Sequence, residues 1–161
     1  MECAPGVGPI KLPFFPGRGI PFFELVGAAL ALDHPLARSA GPVQLRALKN
    51  QTFLTLGTKH RLSHIVAGLA ARAGGRVSDE YEGTSLDAIR LMAASGAGVA
   101  VLPSIYAATE ARRGTDVSLR VIEDPAAFRE IALVQPLLPE PRPGSDLLVE
   151  ILCSEAKRIS E

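Results

Sequence analysis

Residues 83–103 constrain this chain more than any other stretch. They read Gly-Thr-Ser-Leu-Asp-Ala-Ile-Arg-Leu-Met-Ala-Ala-Ser-Gly-Ala-Gly-Val-Ala-Val-Leu-Pro. Thr84 is a good helix N-cap, because its hydroxyl can accept a backbone N–H of the first turn. Asp87, three residues on, approximates a capping box that reaches back to the cap amide. Leu86, Ile89 and Ala93 fall at i, i+3 and i+7 and give the helix one apolar face. Gly96 suits the left-handed position that stops a helix. Val99 to Leu102 is then a continuous apolar run ending at Pro103, the pattern of a strand buried on both faces. A capped helix, a two-glycine turn and a buried strand make an α/β unit.

The flanking chain supplies partners for that unit. Residues 1–21 carry prolines at 5, 9, 13, 16 and 21 among glycines, and are expected to be irregular. Phe22 to Leu32 is the first long apolar run and reads as a strand ending at Asp33-His34-Pro35-Leu36. Val43 to Leu48 reads as a short helix, and Thr52 to Leu56 as a strand. Gly57-Thr58 then opens a helix carrying Leu62, Ile65, Val66 and Leu69 on one face and ending at Gly74-Gly75. Arg76 to Glu82 reads as a polar strand, Ser104 to Arg112 as a helix stopped at Gly114, and Val117 to Ile122 and Glu130 to Gln135 as strands. A proline-rich connection over 136–143 leads to a last helix whose apolar face holds Leu147, Leu148, Ile151, Leu152 and Ile159. Strands alternating with helices predict an α/β sheet with crossover connections.

Charge excludes one function class for these residues alone. Seventeen basic and seventeen acidic side chains cancel, whereas a domain that grips DNA usually shows a basic excess. Cys3 and Cys153 lie at opposite ends without metal-type spacing, which argues against a disulfide scaffold and for a reducing compartment. There is no run of ~18 apolar residues to cross a membrane, and prolines and glycines break every candidate signal sequence before Phe22. The expected location is cytoplasmic.

Few residues suggest chemistry. Thr58, Lys59, His60 and Arg61 open one helix, where cations oppose the helix dipole unless they and the free amides hold an anion. The alternative is a solvated loop whose cations point to water. Thr84 and Ser85 open a second helix with hydroxyls and free amides; capping alone accounts for them, and ligand contact would be an addition. His60 and His64 have helical spacing but no third ligand, and no metal or other cofactor is expected. Gly96-Ala97-Gly98 follows a helix and precedes a strand, the reverse of a dinucleotide-binding turn. No Gly-x-Ser-x-Gly elbow or other acid, base or nucleophile set is present, so no catalytic residue is assigned and the protein is not expected to be an enzyme. Asp79-Glu80-Tyr81-Glu82 is too acidic to serve as the recognition helix after the helix-and-turn pattern of 62–75.

Several pieces together resemble one family. Asp33-His34-Pro35-Leu36-Ala37, Leu45-x-x-Leu48, Thr84-Ser85-Leu86-Asp87 and Gly96-Ala97-Gly98-Val99-Ala100-Val101-Leu102-Pro103 look like the effector-binding domain of LysR-type transcriptional regulators, from about Phe22 to Glu155. The resemblance implies a periplasmic-binding-protein-like (type II) fold, mainly its second subdomain over 22–130, with a returning strand and C-terminal helix over 131–161. It also implies a small-molecule effector, expected to be anionic, that contacts Thr58, Lys59, His60, Arg61, Thr84 and Ser85, a homodimer or higher oligomer, and DNA contacts only through a helix-turn-helix domain missing here. Within the family the likeness is greatest to the peroxide-sensing OxyR branch. Arg61 and Ala70 stand where that branch's redox cysteines would be, which excludes sensing through a disulfide there. The first part of the usual effector domain is not found before Phe22, so the chain is expected to be a fragment or a truncated product. A solute-binding protein of the same fold and a dimerisation-only modulator are the alternative functions.

Overall fold

A computed structural model describes residues 20–39, 41–109, 111, 116–133 and 143–160. Residues 1–19, Cys3, Gly114 and most of the proline-rich connection lie outside the described residues. The strands are β1 (Ile20–Ala31), β2 (Val43–Gln44), β3 (Thr52–Leu54), β4 (Arg76–Val77), β5 (Val99–Pro103), β6 (Val117–Glu123) and β7 (Phe128–Leu133). The α-helices are α1 (Arg61–Ala73), α2 (Leu86–Ala94), α3 (Ser104–Thr109) and α4 (Ser145–Ser160). Two compact units result, Leu25–Arg129 and a second one from the segments up to Glu24 and from Glu130 onward.

The larger unit is built on a sheet ordered β2-β6-β1-β5-β3-β4, and β7 pairs with β1 beside that path. β3 runs parallel to β4 and β5, linked through α1 and α2 by the crossovers the alternation predicts. β1 departs from that expectation, because it is antiparallel to β5 and to β6, the strands beside it on that path. Small residues make the central place possible. An ideal Cβ on Gly27 would stand 2.9 Å from the Arg120 carbonyl oxygen, and Ala28 and Ala29 are fully buried.

The stretch around residue 90 forms the helix, turn and strand it announces, with one shift. Ser85, not Thr84, is the N-cap of α2, its Oγ accepting the Ala88 N–H at 3.3 Å. Asp87 does not reach back to the cap. It bonds instead to Arg90, at 3.3 Å, and to the hydroxyl of Tyr106. Ile89 and Ala93 are buried and Leu86 is half-buried. Gly96 adopts φ +83° and donates its N–H to Ala93, while Ala97 donates to Met92, a paired arrangement that satisfies two terminal carbonyls. Gly74 ends α1 in the same way at φ +72°. All five residues of β5 are buried.

Other boundaries move for local reasons. Val43 to Leu48 is not one helix but β2 followed by a 3-10 turn over Leu45–Leu48, because Val43 and Gln44 pair with Ile122 and Glu123. The polar strand expected over 76–82 keeps only Arg76 and Val77, since β4 pairs with β3 over just those residues. β1 begins at Ile20, inside the segment expected to be irregular. α4 is helical as expected, with Leu147, Leu148, Ile151 and Leu152 between 44% and 62% exposed. Phe53, Leu54, Val66, Leu69, Ile89, Val99, Val101 and Leu102 form the heart of the core, each worth about 2 kcal/mol of buried apolar surface.

Candidate functional site

Two loops carry the residues that sequence reasoning singled out. The first follows β3 and leads into α1. Helix α1 starts at Arg61, so Thr58, Lys59 and His60 precede it in a turn, correcting the expectation that they occupy its first turn. The turn closes by a bond from the His60 N–H to the Gly57 carbonyl, 3.0 Å. His60 is the N-cap residue but caps with no side-chain bond. Its carbonyl accepts both the Ser63 N–H, 3.0 Å, and the Ser63 Oγ–H, 2.6 Å. Thr58, Lys59 and Arg61 are exposed and His60 is half-buried. Among the described residues no carboxylate pairs with Lys59, His60 or Arg61. The amides of Arg61 and Leu62 likewise find no acceptor there.

The second loop leads into α2. Thr84 and Ser85 are exposed, and the Ser85 N–H is taken by the hydroxyl of Tyr81 at 3.0 Å. The two loops meet directly, the Gly57 N–H donating to the Gly83 carbonyl at 3.0 Å. Contact is close, because an ideal Cβ on Gly57 would lie 2.6 Å from the Glu82 carbonyl oxygen and 3.1 Å from its Oε2. The loops that carry Thr58 to Arg61 and Thr84-Ser85 thus adjoin through Gly57 and Gly83, and the Glu82 carboxylate lies beside Gly57. Reading the sequence missed Tyr81 and Glu82, because 76–82 passed for a strand. The glycines just before each polar loop were the available signal. His64 is on α1 and exposed, whereas His60 precedes the helix, so the two do not share a helix face. Thr55, between β3 and the first loop, is 6% exposed, and its hydroxyl has no partner among the described residues.

A second polar cluster ties α2 to α3 and to Asp116. The Arg90 guanidinium bonds to Asp116 and Asp87, and Tyr106 of α3 donates its hydroxyl to Asp87. The bond from Tyr106, then that from Arg90, holds the Asp87 carboxyl below its usual range. Burial, and then the bond to Asp87, pushes the Tyr106 phenol up to about 12. Because the unfolded phenol ionises near 10.0, its contribution to stability is complete below that pH. It is lost as pH rises from there to about 12, since only the folded chain keeps the proton in that window. Urea melts across the alkaline range should therefore show a loss of stability in wild type that Tyr106→Phe lacks. Equal slopes for the two proteins would remove the assignment. Asp87 and Asp124 have the opposite sign. Both are lowered, Asp124 first by Arg72, so their contribution is present at neutral pH and lost as pH falls through their folded values.

A mixed sheet carrying two polar loops at helix N-termini defines an α/β domain of the periplasmic-binding-protein-like class. The LysR substrate binding domain model matches residues 24–156, and the chain belongs to that family. It is 30% identical over 148 residues to the transcriptional dual regulator GltC of Bacillus subtilis, covering 91% of this chain and 48% of that protein. It is 33% identical over 129 residues to the DNA-binding transcriptional dual regulator OxyR of Escherichia coli, covering 80% and 40%. The chain thus spans less than half the length of these relatives. Among solved structures, the reduced OxyR regulatory domain of Pseudomonas aeruginosa superposes with a TM-score of 0.65 at 26% identity, over 93% of this chain and 69% of that one. The effector binding domain of QuiR in complex with shikimate shares the fold, with a TM-score of 0.64 at 16% identity over 88% and 66%.

Proposed function

We propose that this chain is the effector-sensing part of a LysR-type transcriptional regulator, binding a small anionic molecule at the wall formed by Thr58, Lys59, His60, Arg61, Thr84 and Ser85. One observation carries the reading: the Gly57–Gly83 hydrogen bond brings two helix-opening loops together, and the cations on one of them lack a described counterion. Lys59 and Arg61 are then free to meet a carboxylate or phosphate by charge-assisted bonds, alongside the open amides of Arg61 and Leu62. The effector binding domain of QuiR, which shares the fold, was solved in complex with shikimate. The Glu82 carboxylate beside Gly57 adds a selection rule. It repels a bare anion and favours one that also carries a hydroxyl or amino donor.

The chain catalyses nothing on this reading. Binding shifts the balance between two subunit arrangements, which requires different effector affinities in the two states. The partners are the effector, a second copy of the chain, and DNA reached through a helix-turn-helix domain outside these residues, in the cytoplasm. Among the described residues no helix is long and apolar enough to cross a membrane. Native mass spectrometry of the purified chain reads subunit count and any retained molecule together, and an organic acid carried by a dimer is the expected result. Arg61→Ala should weaken binding of that acid by at least about tenfold with an unchanged melting temperature. Equal titration curves for the two proteins would sink the anion loop.

A further inference from the structure

Tyr81 stands where the two loops of the proposed wall depend on each other. Its phenolic oxygen accepts the Ser85 N–H at 3.0 Å. Its ring fills the space that a side chain at position 83 would need: an ideal Cβ on Gly83 would lie 2.3 Å from the Tyr81 hydroxyl oxygen and 2.4 Å from Cζ. Residues 81–85 therefore close on their own tyrosine. The carbonyl of the same Gly83 receives the Gly57 N–H at 3.0 Å, one residue before Thr58. The cap of α2 does not need the phenol, since Ser85 Oγ already accepts the Ala88 N–H.

We infer that Tyr81 is a positioning residue of the effector site, holding the Thr84-Ser85 turn and the Thr58–Arg61 loop at a fixed spacing through the Gly83 turn. The inference rests on the site proposed above and deepens it. It also removes the Ser85 amide from the set of ligand donors, because the phenol already occupies it. An anion spanning the wall meets α2 at the Thr84 and Ser85 hydroxyls and at the amides of Leu86 and Asp87. Orientation of both loops before binding lowers the ordering cost that the ligand must otherwise offset.

Two variants reach the same contact through different atoms. Tyr81→Phe deletes the oxygen and keeps the ring, while Gly83→Ala displaces the ring and keeps the oxygen. Amide hydrogen exchange at Ser85 and Gly57 is measured in each, together with a titration of lactate, a carboxylate that also carries a hydroxyl donor, followed on the amides of residues 58–62. Both variants should speed exchange at Ser85 and also at Gly57 by about three- to tenfold, the loss of roughly one net hydrogen bond. Lactate affinity at the Thr58–Arg61 loop should fall by a similar factor, a readout that a purely local role would leave unmoved. Faster exchange at Ser85 with Gly57 unchanged would overturn the inference, since Tyr81 would then close only its own loop. If lactate moves none of the amides 58–62 in the parent protein, the site itself fails and the positioning role falls with it. The exchange data then still report whether the loops are coupled.

Discussion

Arg120→Ala should cost the protein about 3 kcal/mol and lower its melting temperature by roughly 10 °C. Arg120 is on β6 and only 8% exposed. Its guanidinium serves carbonyls rather than a carboxylate: Nε donates to Gly41 at 2.6 Å, and Nη1 donates to Leu36 at 2.7 Å and to Ser39. These carbonyls belong to the loop that carries the chain from β1 to β2, which has little regular structure beyond a short 3-10 turn at Pro35–Arg38. Removing the side chain leaves several acceptors without their donor, and bonds to a charged donor are worth more than neutral ones. A substitution on β6 thereby loosens a loop some eighty positions earlier in the chain. Differential scanning calorimetry decides the matter. A melting point within about 2 °C of the parent would mean that water satisfies the carbonyls equally well.

Gly98→Ala should be nearly as damaging, at about 3 kcal/mol, while Gly96→Ala, two residues away, should cost about 1 kcal/mol. The two glycines do different work. Gly96 is needed for its backbone angle, φ +83°, and an ideal Cβ there meets nothing within 4 Å. Gly98 is needed for space, since an ideal Cβ would stand 2.4 Å from the Thr52 carbonyl oxygen at the start of β3. The neighbour is backbone on an adjoining strand, so it cannot swing aside as a side chain would. Either β3 and β5 part near Phe53 and Val99, or the turn after α2 distorts. Denaturant melts of the two variants side by side give the comparison, and equal losses would show that the approach to the Thr52 carbonyl is relieved at little cost.

The parts of the fold legible in the sequence are those set by near neighbours. Gly74 and Gly96 announce helix ends because a left-handed residue is cheap only for glycine, and both take that conformation. The apolar spacing of Leu62, Val66 and Leu69 fixes the buried face of α1. Distant partners decide what the sequence hides. Asp87 has the spacing of a capping residue, yet Arg90 and Tyr106 outcompete the cap amide, and Tyr106 comes from a different helix. β1 looks like any buried strand, and nothing within it signals two antiparallel neighbours drawn from the far half of the chain. The candidate wall divides in the same manner. Its polar residues are visible one loop at a time, whereas the Gly57–Gly83 bond that joins them is a long-range contact.

The central place of β1 has a consequence for synthesis. β1 leaves the ribosome first among the described strands, but Ala29 cannot pair until Ala100 and Leu119 have been made. Through most of translation, a strand with Leu25, Val26 and Leu30 waits with both edges open and no sheet to cover it. Such segments seek other chains, and pairing over long sequence distances is slow. Yield in the cell should therefore depend on chaperones and on translation speed more than the finished protein's stability suggests. Any shortened chain ending before β5 would carry that exposed strand permanently.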